Sequence, residues 1–228
     1  MSSKEEILVL VGSPRAEKST SKSLGVYLSK KIVASEDQIR FGYINRLLLR
    51  SERYEKLFSM INEASIIILT FPLYVDHLPS PVIKAFEIIS EKKRDIMERK
   101  EKQFIAISNC GFPEGEQINI AIKICRIFAK EIGFEWMGGL KVGAGPFIHG
   151  NDIKNAGKRL EHIKKGLSFA AEKITKGEKI PKETNDILAD IPISKEMYKR
   201  IGNFGWRIQA LKFRNIFNLK RKPYSKEK

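Results

Sequence analysis

Three stretches of this sequence hold residues able to do chemistry, and each follows directly on an apolar run. The first is Gly12-Ser13-Pro14-Arg15-Ala16-Glu17-Lys18-Ser19-Thr20-Ser21. It stands ahead of a helix-periodic segment, where unpaired backbone N–H groups and the positive end of the helix dipole favour an anion. Ser13, Ser19, Thr20 and Ser21 add hydroxyl donors and Arg15 adds charge, so the stretch reads as a phosphate cradle. It is neither a GxxxxGK[ST] loop nor a GxGxxG loop. Hydroxyls in place of glycines suit a phosphate monoester wrapped by side chains. The plainer reading is a helix cap, since Ser and Thr cap helices routinely, but four hydroxyls and an arginine exceed what a cap needs.

The second stretch is Phe71-Pro72-Leu73-Tyr74-Val75-Asp76-His77-Leu78-Pro79-Ser80-Pro81. Aromatic and aliphatic side chains at the end of a strand call for a cover. The edge of a flat apolar ligand supplies one, with Tyr74 as a stacking platform; packing on the next helix or on a second subunit supplies another. His77 reads as a surface histidine. The third stretch is Asn109-Cys110-Gly111-Phe112-Pro113-Glu114-Gly115-Glu116-Gln117, in which Gly111 and Gly115 permit close backbone approach and Phe112 can flank a ring. Cys110 has no base beside it in sequence and reads as an inert thiol. A glycine-rich segment, Gly143-Ala144-Gly145-Pro146-Phe147-Ile148-His149-Gly150, either lines the same site, closes over it, or only turns.

These stretches need a scaffold, and the apolar pattern describes one. Ile7–Val11, Ile39–Ile44, Ser65–Phe71, Phe104–Ser108 and Phe134–Val142 read as strands, the second at an edge. Between them, apolar residues recur at helical spacing from Thr20 to Ala34, around Tyr54–Ile61, from Val82 to Ile96, from Ile118 to Ile132, and from Ile153 to Thr175. The central runs are β-branched on both faces, which means helices cover both sides of a parallel sheet. Five βα units fit a flavodoxin-like order or a piece of a Rossmann sheet, and are too few for an eight-fold barrel. In such sheets ligands bind beyond the carboxyl ends of the strands, where the three stretches fall.

Composition narrows the class. The 228 residues are 42% hydrophobic and 30% charged, which is globular. The two cysteines, Cys110 and Cys125, lack CxxC spacing and the three histidines are scattered, so no metal or cluster site is expected. The chain opens on Met1-Ser2-Ser3-Lys4-Glu5-Glu6 without a signal-like apolar stretch, and a cytoplasmic protein is expected. The net charge of +15 is concentrated at the end: from Pro192 to Lys228 there are 11 Lys or Arg against 2 Asp or Glu. A domain boundary is expected after residue 176, with 177–228 as a linker and a basic, aromatic-rich extension.

Gly12-Ser13-Pro14-Arg15 with Ser19-Thr20, then Pro72-Leu73-Tyr74-Val75, then the glycine-bearing third loop, resemble the NAD(P)H-dependent FMN reductases among flavodoxin-like proteins. The resemblance covers roughly residues 5–170. It implies a doubly wound five-stranded parallel sheet in the order 2-1-3-4-5 and a bound FMN. It places Ser13, Arg15, Ser19, Thr20 and Ser21 on the FMN phosphate, Pro72, Leu73, Tyr74 and Val75 on one side of the ring, and Asn109, Gly111 and Phe112 on the other. Lys18-Ser19 stands where the family often has Gly-Asn, and the basic tail is an addition to the small flavodoxins. The implied activity is transfer of electrons from NADH or NADPH through FMN to a small acceptor, quinone-like or flavin, with no catalytic side chain because flavin N5 carries the chemistry. The alternative is an electron carrier that docks with proteins and has no NAD(P)H activity of its own. The tail has three readings: packing on the domain or on a second subunit of a homodimer, lying on an anionic membrane surface, or nucleic-acid binding, for which no recognition motif is present.

Overall fold

A computed structural model describes residues 6–93, 102–148, 150–191 and 193–221. It divides into two compact units, Met1–Ile191 and Pro192–Lys228. In the first, five parallel strands stand in the order β2-β1-β3-β4-β5, as the resemblance implied. They are β1 Ile7–Val11, β2 Ile39–Tyr43, β3 Ile66–Pro72, β4 Gln103–Asn109 and β5 Glu135–Val142. Strand order reverses at β1, so the switch point lies between the loops that leave β1 and β3.

Alternation along each strand builds two cores. Leu8 and Leu10, Ile67, Leu69 and Phe71, and Phe104 and Ala106 face one way. They meet α2 Ile44–Leu47, α3 Tyr54–Glu63, α4 Ser80–Glu91 and α5 Asn119–Ile132. Ile7, Val9 and Val11, Ile66 and Ile68, and Ile105 and Ile107 face the other way. They meet α1 Thr20–Ile32 and α6 Glu161–Thr175. Phe86 stacks on Phe128 with ring centroids 3.7 Å apart, locking α4 to α5. The helix expected from Val82 to Ile96 is described to Glu91; Ile96 lies outside the described residues. The helix expected from Ile153 to Thr175 begins at Glu161, after a 3-10 turn at Lys158–Leu160.

The segment expected to be a linker is part of the fold. Residues 177–191 return to β5 and form a further helix, α7 Glu183–Ala189, with Thr184 and Leu188 buried. The Ile180 N–H donates to Met137 O at 2.7 Å. The side chain of Asn185 accepts from the Lys141 N–H at 2.9 Å and donates to Gly139 O at 3.1 Å. These bonds satisfy the open edge of β5, where another chain would otherwise pair. A bulge makes the approach possible: β5 shifts register opposite Phe104/Ile105, Gly138 sits at φ +147°, and a Cβ there would stand 2.7 Å from Ile180 Cβ. The compact unit therefore ends at Ile191 and not at 176.

The second unit holds one long helix, α8 Lys195–Lys212, capped by Ser194 Oγ, which accepts from the Met197 N–H, and followed by a 3-10 turn at Ile216–Asn218. No described helix is long and apolar enough to cross a membrane.

Candidate functional site

The three chemistry-bearing stretches meet at the carboxyl end of the sheet, with Asn109 at their junction. Asn109 is the last residue of β4, and it is buried. Its Oδ1 accepts from Ser21 Oγ at 2.9 Å. Its main-chain oxygen accepts from the Leu73 N–H at 2.8 Å. Register sets it beside Pro72. One residue thus fixes the loop after β1, through α1, and the loop after β3.

In the first loop the structure divides the hydroxyls. Ser19 is the N-cap of α1: its Oγ accepts from the Lys22 N–H at 3.1 Å and donates to Ala16 O at 2.6 Å. Ser21 is turned inward to Asn109. Thr20 Oγ1 donates to Gly145 O at 3.3 Å. Ser13 Oγ accepts from the Arg15 N–H at 3.4 Å. Once Ser19 has taken the third N–H of the helix, those of Thr20 and Ser21 are the orphan donors of its first turn. Arg15 and Lys18 are exposed, and neither pairs with a carboxylate among the described residues. Glu17 belongs to Arg46, 2.9 Å away; its own backbone N–H first, and then the guanidinium, hold its carboxyl below the ordinary range. The loop therefore presents backbone N–H groups and free cations, a donor set that suits a phosphate.

The second loop turns tightly. Tyr74 and His77 exchange backbone hydrogen bonds, each 3.0 Å, around Val75 at φ +48° and Asp76 at φ +56°. This is the two-residue turn that glycine or asparagine normally occupies. Val75 is 98% exposed and Tyr74 half exposed, so neither packs on the next helix. His77 is exposed, as expected of a surface histidine. Leu78 and Pro79, by contrast, are buried.

Across from them, Phe112 is exposed, and a Cβ on Gly111 would meet nothing within 4 Å. Two aromatic side chains and a valine, on loops leaving adjacent strands, form an apolar rim beside open space. That is the complement of a flat heterocycle. Cys110 is buried, its thiol donates toward Phe112 O and Glu114 O, and burial pushes its pKa up, which agrees with an inert thiol.

The glycine-rich segment after β5 braces this arrangement from behind. The Ala144 N–H donates to Phe112 O at 2.6 Å and the Gly145 N–H to Cys110 O at 2.9 Å. A Cβ on Gly143 would stand 2.1 Å from Pro113 O, and one on Gly150 would stand 2.4 Å from Lys18 O. His149 lies outside the described residues. Beyond the brace, a cleft of about 560 Å³ is lined by Phe147, Asp152, Lys158 and Arg159, the last over the Phe147 ring at 5.5 Å.

Backbone strain gathers here too. The described non-glycine residues with positive φ are Ala16, Val75, Asp76, Ala144 and Arg214. All but Arg214 lie in the loops that leave β1, β3 and β5. Such conformations persist only where the surroundings over-determine them, and they cluster at functional sites. Neither the Asn109 junction nor the inward turn of Ser21 is legible in sequence spacing. The single available signal was a polar residue closing an otherwise apolar strand.

No protein-family model matches the sequence, and no curated protein matches it. Solved structures do match. A flavodoxin, a WrbA-like protein from Agrobacterium tumefaciens, aligns with a TM-score of 0.51 at 11% identity, over 78% of this chain and 100% of that one. The fold is flavodoxin-like. An NADPH-quinone reductase from P. pentosaceus aligns with a TM-score of 0.53 at 15% identity, over 73% of this chain and 97% of that one. An NADH:FMN oxidoreductase in its apo form gives 0.52 at 14%, over 79% and 94%. In the flavodoxin-like frame, the Asn109 junction stands at the carboxyl ends of the central strands, beside the switch point.

Proposed function

We propose that this chain is an FMN-dependent oxidoreductase that passes electrons from NADH or NADPH to a small acceptor, quinone-like or flavin. The observation that carries the reading is the convergence at the switch point: orphan N–H groups and Arg15 on one loop, and an exposed aromatic rim on the next two, tied together through Asn109. The residues fit FMN in both halves. The N–H groups of Thr20 and Ser21, with Arg15 and the Ser13 hydroxyl, would hold the phosphate. Pro72, Leu73, Tyr74 and Val75 would flank the ring on one side, and Asn109, Gly111 and Phe112 on the other. Ser19 and Ser21 serve by shaping the helix terminus and holding Asn109 in place.

When bound, FMN supplies hydride acceptance and release, so the protein needs no acid or base of its own. Its work is to orient the ring through the rim, to hold the phosphate, and to keep one face open. The half-exposed Tyr74 and the open space at Gly111 leave room there for a second flat molecule.

The test is the visible spectrum of the purified protein with added FMN, before and after anaerobic NADH or NADPH. The expected result is a bound-flavin spectrum that bleaches. A bound flavin that stays oxidised would favour an electron carrier fed by a protein partner. Failure to bind FMN would remove the reading altogether.

A further inference from the structure

The second unit carries a surface that the flavin reading does not use. Along α8, Met197, Ile201, Phe204, Ile208 and Leu211 recur in alternating steps of four and three residues. At 3.6 residues per turn these steps put all five on one face. All five are exposed, between 46% and 66%. By the same geometry Arg200 and Arg207 border the stripe on one side and Lys212 on the other, while Trp206 and Lys199 fall on the opposite face. Past the helix, Phe217 is 97% exposed, among Arg214, Lys220 and Arg221.

We propose that α8 lies in the headgroup layer of an anionic lipid bilayer, apolar stripe down and cations at its margins. A narrow apolar stripe flanked by Lys and Arg on a helix of low overall hydropathy is the pattern of an interfacial helix. Arg200, Arg207 and Lys212 have stems long enough to stay at the phosphate level while Phe204 and its neighbours enter the acyl boundary. Too short of apolar residues to cross the bilayer, the helix lies along its surface. Charge decides between occupants. The stripe also has the spacing of a coiled-coil seam, yet the helix holds five Lys or Arg and one acid, Glu196. Two copies side by side would align cations without carboxylates to pair with them. An anionic surface supplies the missing charge, at about fivefold in affinity per basic residue. Nucleic acid would engage the cations and leave the five apolar side chains without a role.

The experiment is co-sedimentation of the full chain with phosphatidylcholine vesicles, with and without phosphatidylglycerol. Binding is expected to be more than about tenfold tighter on the anionic vesicles and to weaken with salt. Phe204→Glu is expected to weaken it about tenfold, and Arg200→Gln with Arg207→Gln by a similar factor or more, while Trp206→Ala changes it less than about twofold. Circular dichroism and FMN binding verify that each variant keeps its fold, since Phe204 is exposed. Equal partition onto neutral and anionic vesicles would overturn the proposal, as would indifference to Phe204→Glu. So would a protein that ignores vesicles but sediments as a dimer dissociated by Phe204→Glu, which would make the stripe a seam between copies.

Discussion

Ser21 Oγ donates to Asn109 Oδ1 at 2.9 Å, with both residues buried and 88 positions apart in the chain. The bond spans the sheet from the helix after β1 to the end of β4, over β3. Removing the hydroxyl leaves a buried amide oxygen without its donor, which costs the desolvation of that group. Ser21→Ala is expected to lower stability by about 1–3 kcal/mol in urea titration. It should also weaken FMN binding, because Asn109 ties α1 to the loop after β3 in the site proposed for the cofactor.

Val75 pays for its position in strain. A β-branched residue at φ +48° is an outlier, and an exposed one gains nothing from burial. Val75→Asn should relieve the strain and stabilise the protein by about 1 kcal/mol, read as a higher denaturation midpoint. If Val75 touches the flavin ring, the same variant binds FMN more weakly. Stability and affinity moving in opposite directions would mark the strain as functional; a gain in both would take Val75 out of the site.

Arg15 and Thr20 separate charge from hydroxyl in the loop proposed to hold the phosphate. Arg15 is an exposed cation at the mouth of the first loop, so Arg15→Gln should weaken FMN binding about tenfold at low salt and less at high salt. Fluorescence quenching of FMN on titration reads both. Thr20→Val keeps the N–H group and removes the hydroxyl that donates to Gly145 O. It should weaken binding by a smaller factor, about threefold, through a loosened brace.

Gly143 shows how tightly that brace is built. A Cβ there would lie 2.1 Å from Pro113 O, a backbone atom that cannot rotate away. Gly143→Ala is expected to destabilise the fold by about 3 kcal/mol, and to do so with or without FMN present.

His162 makes stability depend on pH. It is buried on α6, neither ring nitrogen has a hydrogen-bond partner among the described residues, and burial pushes its pKa below 6.5, with Asp190 opposing in part. The unfolded chain binds a proton near pH 6.5 that the folded protein refuses. The contribution is therefore intact above that pH and is lost as pH falls through and below it. Urea midpoints should drop between about pH 7.5 and about pH 5.5. His162→Phe should flatten that drop.

Local pattern alone determined a good deal of this protein. Runs such as Ile7–Val11 and Ile66–Phe71, apolar on both faces and stopped by glycine or proline, require strands covered on both sides, and the helical spacing between them supplies the cover. The three loops were legible because chemistry-bearing residues cluster where those runs stop. So was the charge asymmetry that marks off the tail, since charge is a property of composition.

Tertiary structure decided what depended on partners far away in the chain. Residues 177–191 look like a linker because charged and polar residues outnumber the few apolar ones, Ile180, Ile187, Leu188, Ala189 and Ile191; a bulge at Gly138 opens the place where they dock. Ser19 and Ser21 look alike in sequence, yet one caps its own helix and the other reaches Asn109. The strain at Val75 is likewise invisible in a residue type that favours strands. Periodicity records which face is buried, whereas the partner of a hydroxyl or the sign of φ is set by the register of strands that meet only after folding.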